Sequence, residues 1–328
     1  MTPAEPKIFR RILSGILCLA AAVSCARRSA APASEMPESG NAVYYWRTVF
    51  APDSTELAFL RRHAVDRIYL RMFDIAVESD PATLQDEAVP IATTRFVAEI
   101  PDGVEIVPTV YITLDALRAM LGREAEYAGL IVERLRAMAA YNRCGEVQEM
   151  QFDCDWTAST RGSYAALCRA AGEMLHRDGI RLSATIRLHQ LSEDAPPVDC
   201  GVLMLYNTGA LKNPVTRNSI LDLADVLPYL RHRRCDLPLD YVYPAFGWGV
   251  RFRNGEFRGI VSHPEKEQPE AGDTVRIERP TASEVLAVKE RVESALGRPA
   301  YRRILYHLDQ EQLNCYTDDE IATIYADR

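Results

Sequence analysis

The amino-acid sequence predicts an α/β protein, a (β/α)8 TIM barrel with a small β-hairpin insertion after strand seven. From residue 42 onward, short runs of β-branched and aromatic residues alternate with helical stretches, which is typical of parallel strands joined by helices. Eight such runs occur, the number that closes a barrel. The chain has 328 residues, and residues 42–328 are long enough to form one large domain of this kind.

Each predicted strand is a short run rich in Val, Ile, Leu, Tyr or Phe. In chain order, the runs are residues 43–46, 67–73, 105–111, 147–152, 182–188, 202–206, 241–243 and 304–307. Between them, the sequence predicts helices over residues 55–63, 114–121, 124–142, 160–178, 219–231 and 283–296, the last of which begins with a helix-starting Ser-Glu pair. The region between the second and third strands is less regular, and residues 91–97 are a candidate for an additional strand.

One turn signal predicts the insertion. Asn254-Gly255 lies between two alternating runs after the seventh strand, and this dipeptide is the strongest short-range signal for a hairpin. A charged stretch, residues 262–273, precedes the next helix. An insertion at this point lies on the C-terminal face of the barrel, where active sites of this fold are found.

Composition and charge exclude several classes of protein. The chain is 48% hydrophobic and 26% charged, with 17 Gly and 19 Pro, which excludes a disordered, collagen-like or low-complexity protein. The formal net charge is −8, and such a surface repels phosphate backbones, so we expect no nucleic-acid partner. The sequence lacks a G-x-x-x-x-G-K loop and a G-x-S-x-G motif, and we expect no cofactor.

The first 25 residues are typical of a secretory leader. Lys7, Arg10 and Arg11 precede an apolar stretch over residues 12–23, which is too short to span a bilayer comfortably. The stretch runs into Ser24-Cys25 and resembles the lipobox of bacterial lipoproteins, although an Ala stands where a Leu is usual.

This resemblance implies that residues 1–25 are a lipoprotein signal peptide and that Cys25 carries a lipid anchor in the bacterial cell envelope. Residues 26–41 contain a polar, Pro-containing segment, and we expect them to form a flexible tether. The alternative is ordinary cleavage near the Ala-rich run, which would give a soluble secreted protein.

Six cysteines remain in the predicted barrel. They contain no C-x-x-C pair and no His partner at ligand spacing, so we expect no metal site and interpret most of them as buried thiols. They are Cys144, Cys154, Cys168, Cys200, Cys235 and Cys315.

The end of the fourth strand carries the most informative carboxylates. Strand periodicity places Asp153, Asp155 and Thr157 on one side of the chain. If that side faces the lumen, two carboxylates lie at the barrel mouth, where repulsion raises one pKa and lets the pair share a proton. The alternative is that one Asp caps the following helix while the other is solvated.

Residues 152–157, FDCDWT, resemble the fourth-strand D-x-D-x-E signature of family 18 glycoside hydrolases, which include chitinases and endo-β-N-acetylglucosaminidases. Residues 202–207 are similar to the sixth-strand M-x-Y-D of that family, and residues 243–248 to its seventh-strand P-x-Y-G. The insertion falls where many chitinases carry a small extra domain. The resemblance covers strands four to seven and implies a glycan-acting barrel with Asp153 and Asp155 as catalytic residues.

Two departures from the family pattern bear on activity. Thr157 stands at the position of the general acid, and a hydroxyl group cannot supply a proton near neutral pH. Asn207 replaces the Asp of the sixth strand. An active enzyme would need an acid from elsewhere on the rim, and the candidates are Asp74, Asp309, Glu311 and the Asp153/Asp155 pair itself.

Further candidates come from strand alternation and from aromatic residues at strand ends. Arg187 and His189 continue a polar face of strand five that suits hydroxyls or a carboxylate, although His189 also fits a structural role. Arg71 is a candidate ion-pair partner of the two aspartates, or else an outer-face residue paired to a helix. Aromatic rings can stack on sugar C–H faces. The predicted substrate-binding residues are Arg71, Asp74, Arg187, His189, Met204, Tyr206, Asn207, Tyr243, Trp248 and Asp309.

Three functions therefore remain open. The first is a glycoside hydrolase-like protein that acts on an extracytoplasmic glycan. The second is a catalytically inactive, lectin-like or accessory barrel that binds glycan, which Thr157 and Asn207 support. The third is a membrane-associated scaffold, which predicts an apolar patch on the outer helices.

Overall fold

The computed structural model describes residues 40–79, 86–262, 264 and 270–327. The predicted signal peptide, its Cys25 and residues 26–39 of the predicted tether lie outside the described residues. Among the described residues, no helix is both long enough and apolar enough to cross a bilayer.

Within the described chain, eight parallel strands close a barrel, which confirms the predicted (β/α)8 fold. Each strand pairs with the next, and the first strand pairs with both the second and the last, as Val43 with Ile68 and Ala42 with Ile304. All eight predicted strands are present. They span Gly40–Tyr45, Val65–Ser79, Glu105–Ile112, Glu149–Asp153, Arg181–Arg187, Cys200–Met204, Leu239–Pro244 and Arg302–Tyr306.

Helices surround the barrel, and side-chain caps mark where several of them begin. The Asp53–Glu56, Thr281–Glu284 and Thr317–Glu320 pairs form capping boxes, in which each side chain satisfies a free backbone N–H of the first turn. The described α-helices are Ser54–Arg62, Leu114–Ala119, Glu124–Tyr141, Arg161–His176, Leu223–Val226, Ala282–Leu296, Gln310–Leu313 and Asp318–Tyr325.

The predicted helix over residues 219–231 is wrong in extent. Its place is taken by one α-helical turn, Leu223–Val226, and a 3₁₀ helix, Leu227–Leu230. The Asn218 side chain accepts the backbone N–H groups of Ile220 and Leu221, which holds this segment in a turn before Asp222 caps the helix. Local side-chain bonds of this kind compete with helix formation.

The insertion after strand seven is larger than predicted. The hairpin Trp248–Arg253 and Glu256–Val261 turns at Asn254-Gly255, both with positive φ, as a type I′ turn requires. A third strand, Asp273–Glu278, pairs with the first strand of the hairpin and completes an antiparallel sheet. The sequence predicted only the hairpin.

The irregular region after strand two contains two further strands, and each overlaps the candidate strand over residues 91–97 only in part. Asp86–Ile91 pairs antiparallel with the second half of Val65–Ser79, and Arg95–Phe96 pairs with Val49–Phe50. The second barrel strand is therefore extended beyond the rim by a two-stranded ribbon.

Inside the barrel, polar side chains lie in layers. At the N-terminal end, Arg67 donates to Glu105 at 2.7 Å and to Glu149 at 2.9 Å, and Arg181 donates to Glu149 at 3.2 Å. Above them, the Tyr44 hydroxyl donates to Gln151 at 2.7 Å. The aspartates predicted at the mouth form the next layer.

Candidate glycan-binding site

Asp153 and Asp155, hereafter the aspartate pair, lie at the C-terminal end of the fourth barrel strand. Asp153 is 3% exposed and accepts a 2.6 Å hydrogen bond from the Thr185 hydroxyl on the neighbouring strand. The side chain of Asp155 is 44% exposed. Gln151, on the same side of this strand, accepts from Tyr44 of the first strand across the barrel, since the two strands are not neighbours. The lumen side is therefore the side that strand alternation predicted.

Arg187 lies between the two carboxylates of the aspartate pair. Its Nη2 is 3.7 Å from Asp153 Oδ1, and its Nε donates to Asp155 Oδ1. Burial raises the pKa of Asp153 to about 6, the Arg187 cation opposes this rise, and the Asp155 charge adds to it. A guanidinium bridge thus joins two carboxylates that the sequence predicted to share a proton.

Arg71 pairs with Asp74, and its predicted pairing with the aspartate pair is wrong. Its Nε donates to Asp74 Oδ1 at 2.7 Å, its Nη2 donates to the other carboxylate oxygen, and its Nη1 donates to the Trp46 carbonyl at 3.1 Å. The register of the second strand shifts between Arg71 and Phe73. This irregularity brings Arg71 and Asp74 together on the rim.

Thr157 lies in the turn between the fourth strand and the helix that follows it. Its backbone N–H donates to Thr160 Oγ1 at 2.9 Å, and its hydroxyl lies 3.0 Å from Ser159 Oγ. The position of the family's general acid therefore holds a hydroxyl group engaged within a local turn. Asn207, the other departure, is exposed and has a φ of 57°.

Aromatic side chains form a floor next to the aspartate pair. The Tyr306 ring centre lies 4.8 Å from that of Tyr206, 5.4 Å from Phe246 and 6.0 Å from Trp46. Trp248 extends this group, with its ring centre 5.3 Å from that of Phe246. We call these five residues the aromatic floor. Sequence reasoning missed Tyr306, although an aromatic residue near the end of the eighth strand was a usable signal.

A cleft of about 270 Å³ opens beside Asp155. The cleft brings together five residues that the sequence predicted for the site, and it adds Leu188, Thr208 and Tyr229. The five are Asp155, Arg187, His189, Tyr206 and Asn207. His189 is exposed at its edge.

The other seven predicted site residues do not line this cleft. Four of them, Asp153, Arg71, Asp74 and Trp248, are described above, and the remaining three are as follows. Tyr243 is fully buried beside Glu293, on the helix side of the seventh strand. Met204 is buried beneath the rim, in register with Arg187 at the end of strand five. Asp309 caps the helix Gln310–Leu313 by accepting a backbone N–H at 3.2 Å.

Gln190 is a positioning residue of this site that sequence reasoning missed. It is 1% exposed, its Oε1 accepts the backbone N–H of Arg187 at 2.8 Å, and its Nε2 donates to the Trp156 carbonyl at 2.8 Å. It therefore joins the ends of strands four and five, which carry the aspartate pair and its counter-ion. No sequence pattern marked it, because a lone Gln after a strand is usually exposed.

Two observations concern other kinds of site. Within the ranges that the structure describes, no group of three or more His, Cys, Asp or Glu side chains is arranged to hold a metal ion. An apolar groove of about 420 Å³ lies outside the barrel mouth, between the second strand and the helix Glu124–Tyr141, where Leu130 is 54% exposed. The groove is the kind of outer-helix patch that the scaffold alternative predicts.

Comparison with known proteins relates this barrel to glycan-acting enzymes by fold. No protein-family model matches the chain, and no curated protein matches its sequence significantly. The Bacillus cereus spore cortex-lytic enzyme SleL superposes with a TM-score of 0.53 at 13% identity, over 89% of this chain and 75% of that one. A chitinase from Chromobacterium violaceum gives 0.55 at 14% identity, over 88% and 100%.

The C-terminal domain of a putative chitinase from Desulfitobacterium hafniense gives a TM-score of 0.57 at 10% identity, over 88% of this chain and 99% of that one. The likeness is one of fold. It agrees with the family that the strand-end motifs resemble, and the chain has the fold of glycoside hydrolase-like barrels.

Proposed function

We propose that this barrel binds a glycan at its C-terminal rim without hydrolysing it. The observation that carries the proposal is the turn at Thr157, because a hydroxyl stands where hydrolysis needs a carboxylic acid. The fold and the two aspartates of the strand-four motif are kept, so the binding surface is retained while the proton donor is missing.

Four of the other rim groups do not replace that acid. Arg71 binds the Asp74 carboxylate through two nitrogens, and Arg187 donates to Asp155, so both carboxylates are engaged in ion pairs. Burial, together with the charges of the aspartate pair, raises the pKa of Tyr111 to about 12, which makes it too weak an acid at neutral pH. Asp309 is engaged as a helix cap.

The cleft is suited to sugars on chemical grounds. Asp155, Arg187 and Asn207 offer donors and acceptors for hydroxyl and amide groups, while Tyr206 supplies an aromatic face for the C–H side of a ring. Sites of this composition orient a ligand with a few polar groups against an apolar floor.

The glycan class is inferred from the fold neighbours. Two of them are described as chitinases, one is a spore cortex-lytic enzyme, and an Ostrinia furnacalis chitinase with the same fold was solved with allosamidin. We therefore propose a glycan of amino sugars, and chitin oligosaccharides and cortex-type fragments are the first probes.

A glycan panel tests the proposal. The purified protein is incubated with the panel, and retained ligand and released reducing ends are both measured for the wild type, Asp155→Asn and a control, Asp178→Asn. Asp178 is an exposed carboxylate that pairs with Arg136 at 2.5 Å, beyond the helix of the fourth βα unit. Retention without release, weakened only in Asp155→Asn, is the expected result.

A second candidate function is hydrolysis with a relocated acid. It is favoured by Asp153, because a pKa of about 6 gives a carboxyl that still carries a proton in mildly acidic solution. Release of reducing ends that disappears in Asp155→Asn would establish this enzyme and refute the binding-only proposal. Absence of both retention and release would refute both and favour the scaffold.

We also propose that the protein is anchored to a membrane of the bacterial cell envelope through lipidated Cys25. The support is the basic and apolar leader that ends in a lipobox-like Ser24-Cys25. Labelling of cells with a fatty-acid analogue is expected to mark the wild type and not Cys25→Ala. Equal labelling of both, or of neither, would contradict the anchor.

A further inference from the structure

The buried carboxylate of Glu278, at the end of the insertion, joins three separate segments of the chain. Glu278 is 1% exposed, and its Oε2 accepts from the Trp248 indole N–H at 2.8 Å and from the Ser219 hydroxyl at 2.5 Å. Its Oε1 accepts from Arg276 Nε at 2.6 Å. A buried carboxylate is costly unless it is fully paired, and these three donors compensate for its loss of hydration.

Trp248 is held by this carboxylate at the edge of the aromatic floor. It pairs directly with Glu278 across the first and third strands of the insertion sheet, so the backbone register aligns the two side chains. Its ring is only partly buried and packs edge-on against Phe246. The hydrogen bond therefore restrains an indole that keeps part of its surface open to solvent.

The same carboxylate is connected to the loop after strand six, which forms one wall of the cleft. Arg276 donates to the carbonyls of Asn213 at 2.7 Å and Leu211 at 3.0 Å, while its third nitrogen contacts Glu278. Gly209, two residues beyond the cleft-lining Asn207, donates its N–H to the carbonyl of Ser219 at 3.1 Å. The loop and the indole thus share one anchor.

We propose that Glu278 is a positioning residue that sets glycan-length specificity, by fixing Trp248 as a second sugar platform coupled to the loop wall of the cleft. This inference rests on the proposed glycan binding. Tyr206 contacts a sugar in the cleft, and Trp248 contacts a further sugar across Phe246. Long oligosaccharides therefore gain affinity from Glu278, and short ones do not.

The substitution Glu278→Gln changes the hydrogen bonds of this side chain and keeps its size. Glutamine keeps the size of the side chain, but its amide nitrogen cannot accept a hydrogen bond. The single remaining oxygen therefore cannot accept from both Trp248 and Arg276, which contact different oxygens of Glu278. The control is Glu256→Gln, an exposed glutamate of the same insertion sheet that forms a local ion pair with Arg258 at 2.9 Å. Trp248→Ala removes the platform itself.

Two measurements test the inference. The NMR resonance of the Trp248 indole N–H reports its hydrogen bond without any ligand, and we expect Glu278→Gln to shift it while Glu256→Gln does not. Affinity is then measured for a short and a long chitin oligosaccharide. We expect Glu278→Gln to lower the affinity for the long one about tenfold, which is about 1.4 kcal/mol, and to leave the short one unchanged.

In the Trp248→Ala background, Glu278→Gln is expected to cause no further loss of affinity for the long oligosaccharide. An unchanged indole resonance, or an equal loss for both lengths, would overturn the positioning role while leaving glycan binding intact. A wild type that binds neither length would instead refute the proposed function. If Glu278→Gln does not fold, loss of the length preference in Trp248→Ala supports the platform and its persistence overturns it.

Discussion

Replacing Arg187 with Met would leave Asp153 as a buried charge without its counter-ion. The two side chains are 18% and 4% exposed, and the atoms that face each other are 3.7 Å apart. At an effective dielectric constant of about 20, a pair at this distance is worth about 4 kcal/mol, which equals about three pKa units. The pKa of Asp153 is therefore expected to rise from about 6 towards ~9 in the variant.

The effect on stability follows from linkage. The unfolded pKa of Asp is about 3.9, so the contribution of Asp153 to stability is present below that value and is lost as pH rises through the folded pKa. In the wild type, this contribution of Asp153 to stability is fully lost above about pH 6. In Arg187→Met, the stability continues to fall until ~pH 9. The destabilisation by Arg187→Met should thus be about 3 kcal/mol larger at pH 8 than at pH 5.

Urea denaturation of wild type and Arg187→Met across this pH range measures the difference. The control is the double variant Asp153→Asn/Arg187→Met, which removes the titrating group and should lose the extra pH dependence. A destabilisation that is equal at pH 5 and pH 8 would refute the assignment of Arg187 as the counter-ion of Asp153.

Other substitutions separate the roles of the two ends of the barrel. Gln190→Leu leaves two backbone groups unsatisfied, and urea denaturation is expected to show a loss of about 2–4 kcal/mol; a loss below 1 kcal/mol would contradict this role. Arg67→Met removes the shorter of the two arginine contacts of the buried Glu149 and leaves the one from Arg181 at 3.2 Å, so we expect a loss of about 3–5 kcal/mol with glycan affinity unchanged in the folded fraction. Tyr306→Ala removes the centre of the aromatic floor, and calorimetry is expected to show about a tenfold loss of glycan affinity, whereas Tyr306→Phe should bind nearly as wild type; equal losses in both would argue against stacking.

The barrel strands were predictable because each combines β-propensity with a clear change of pattern at its ends. The helix expected over residues 219–231 was not, since Asn218 engages the backbone of the next residues and stops the helix from starting. The strand Asp273–Glu278 was also missed. Its sequence is charged and alternating, and its strand state depends on pairing with the hairpin.

In the site, alternation correctly placed Asp153 and Arg187 on the lumen side, because a regular strand repeats every two residues. The partner of Arg71 was mispredicted for the opposite reason, as the register shift beyond it breaks that repeat. Gln190 and Glu278 carried no signal in the sequence. Their importance comes from burial and from partners on other elements, which a single sequence does not display.

Both ends of the barrel contain arginine and carboxylate groups, but the two ends differ in how exposed these groups are. At the N-terminal end, the side chains of Arg67 and Glu149 are both 2% exposed, so these two charges are paired inside the core. At the C-terminal end, Arg187 bridges a buried aspartate and one whose side chain is 44% exposed. The buried aspartate fixes the arginine, and the exposed one remains available to the cleft. Under the proposed function, Arg187 holds both carboxylates in ion pairs, and the exposed one is left to accept hydrogen bonds from a glycan.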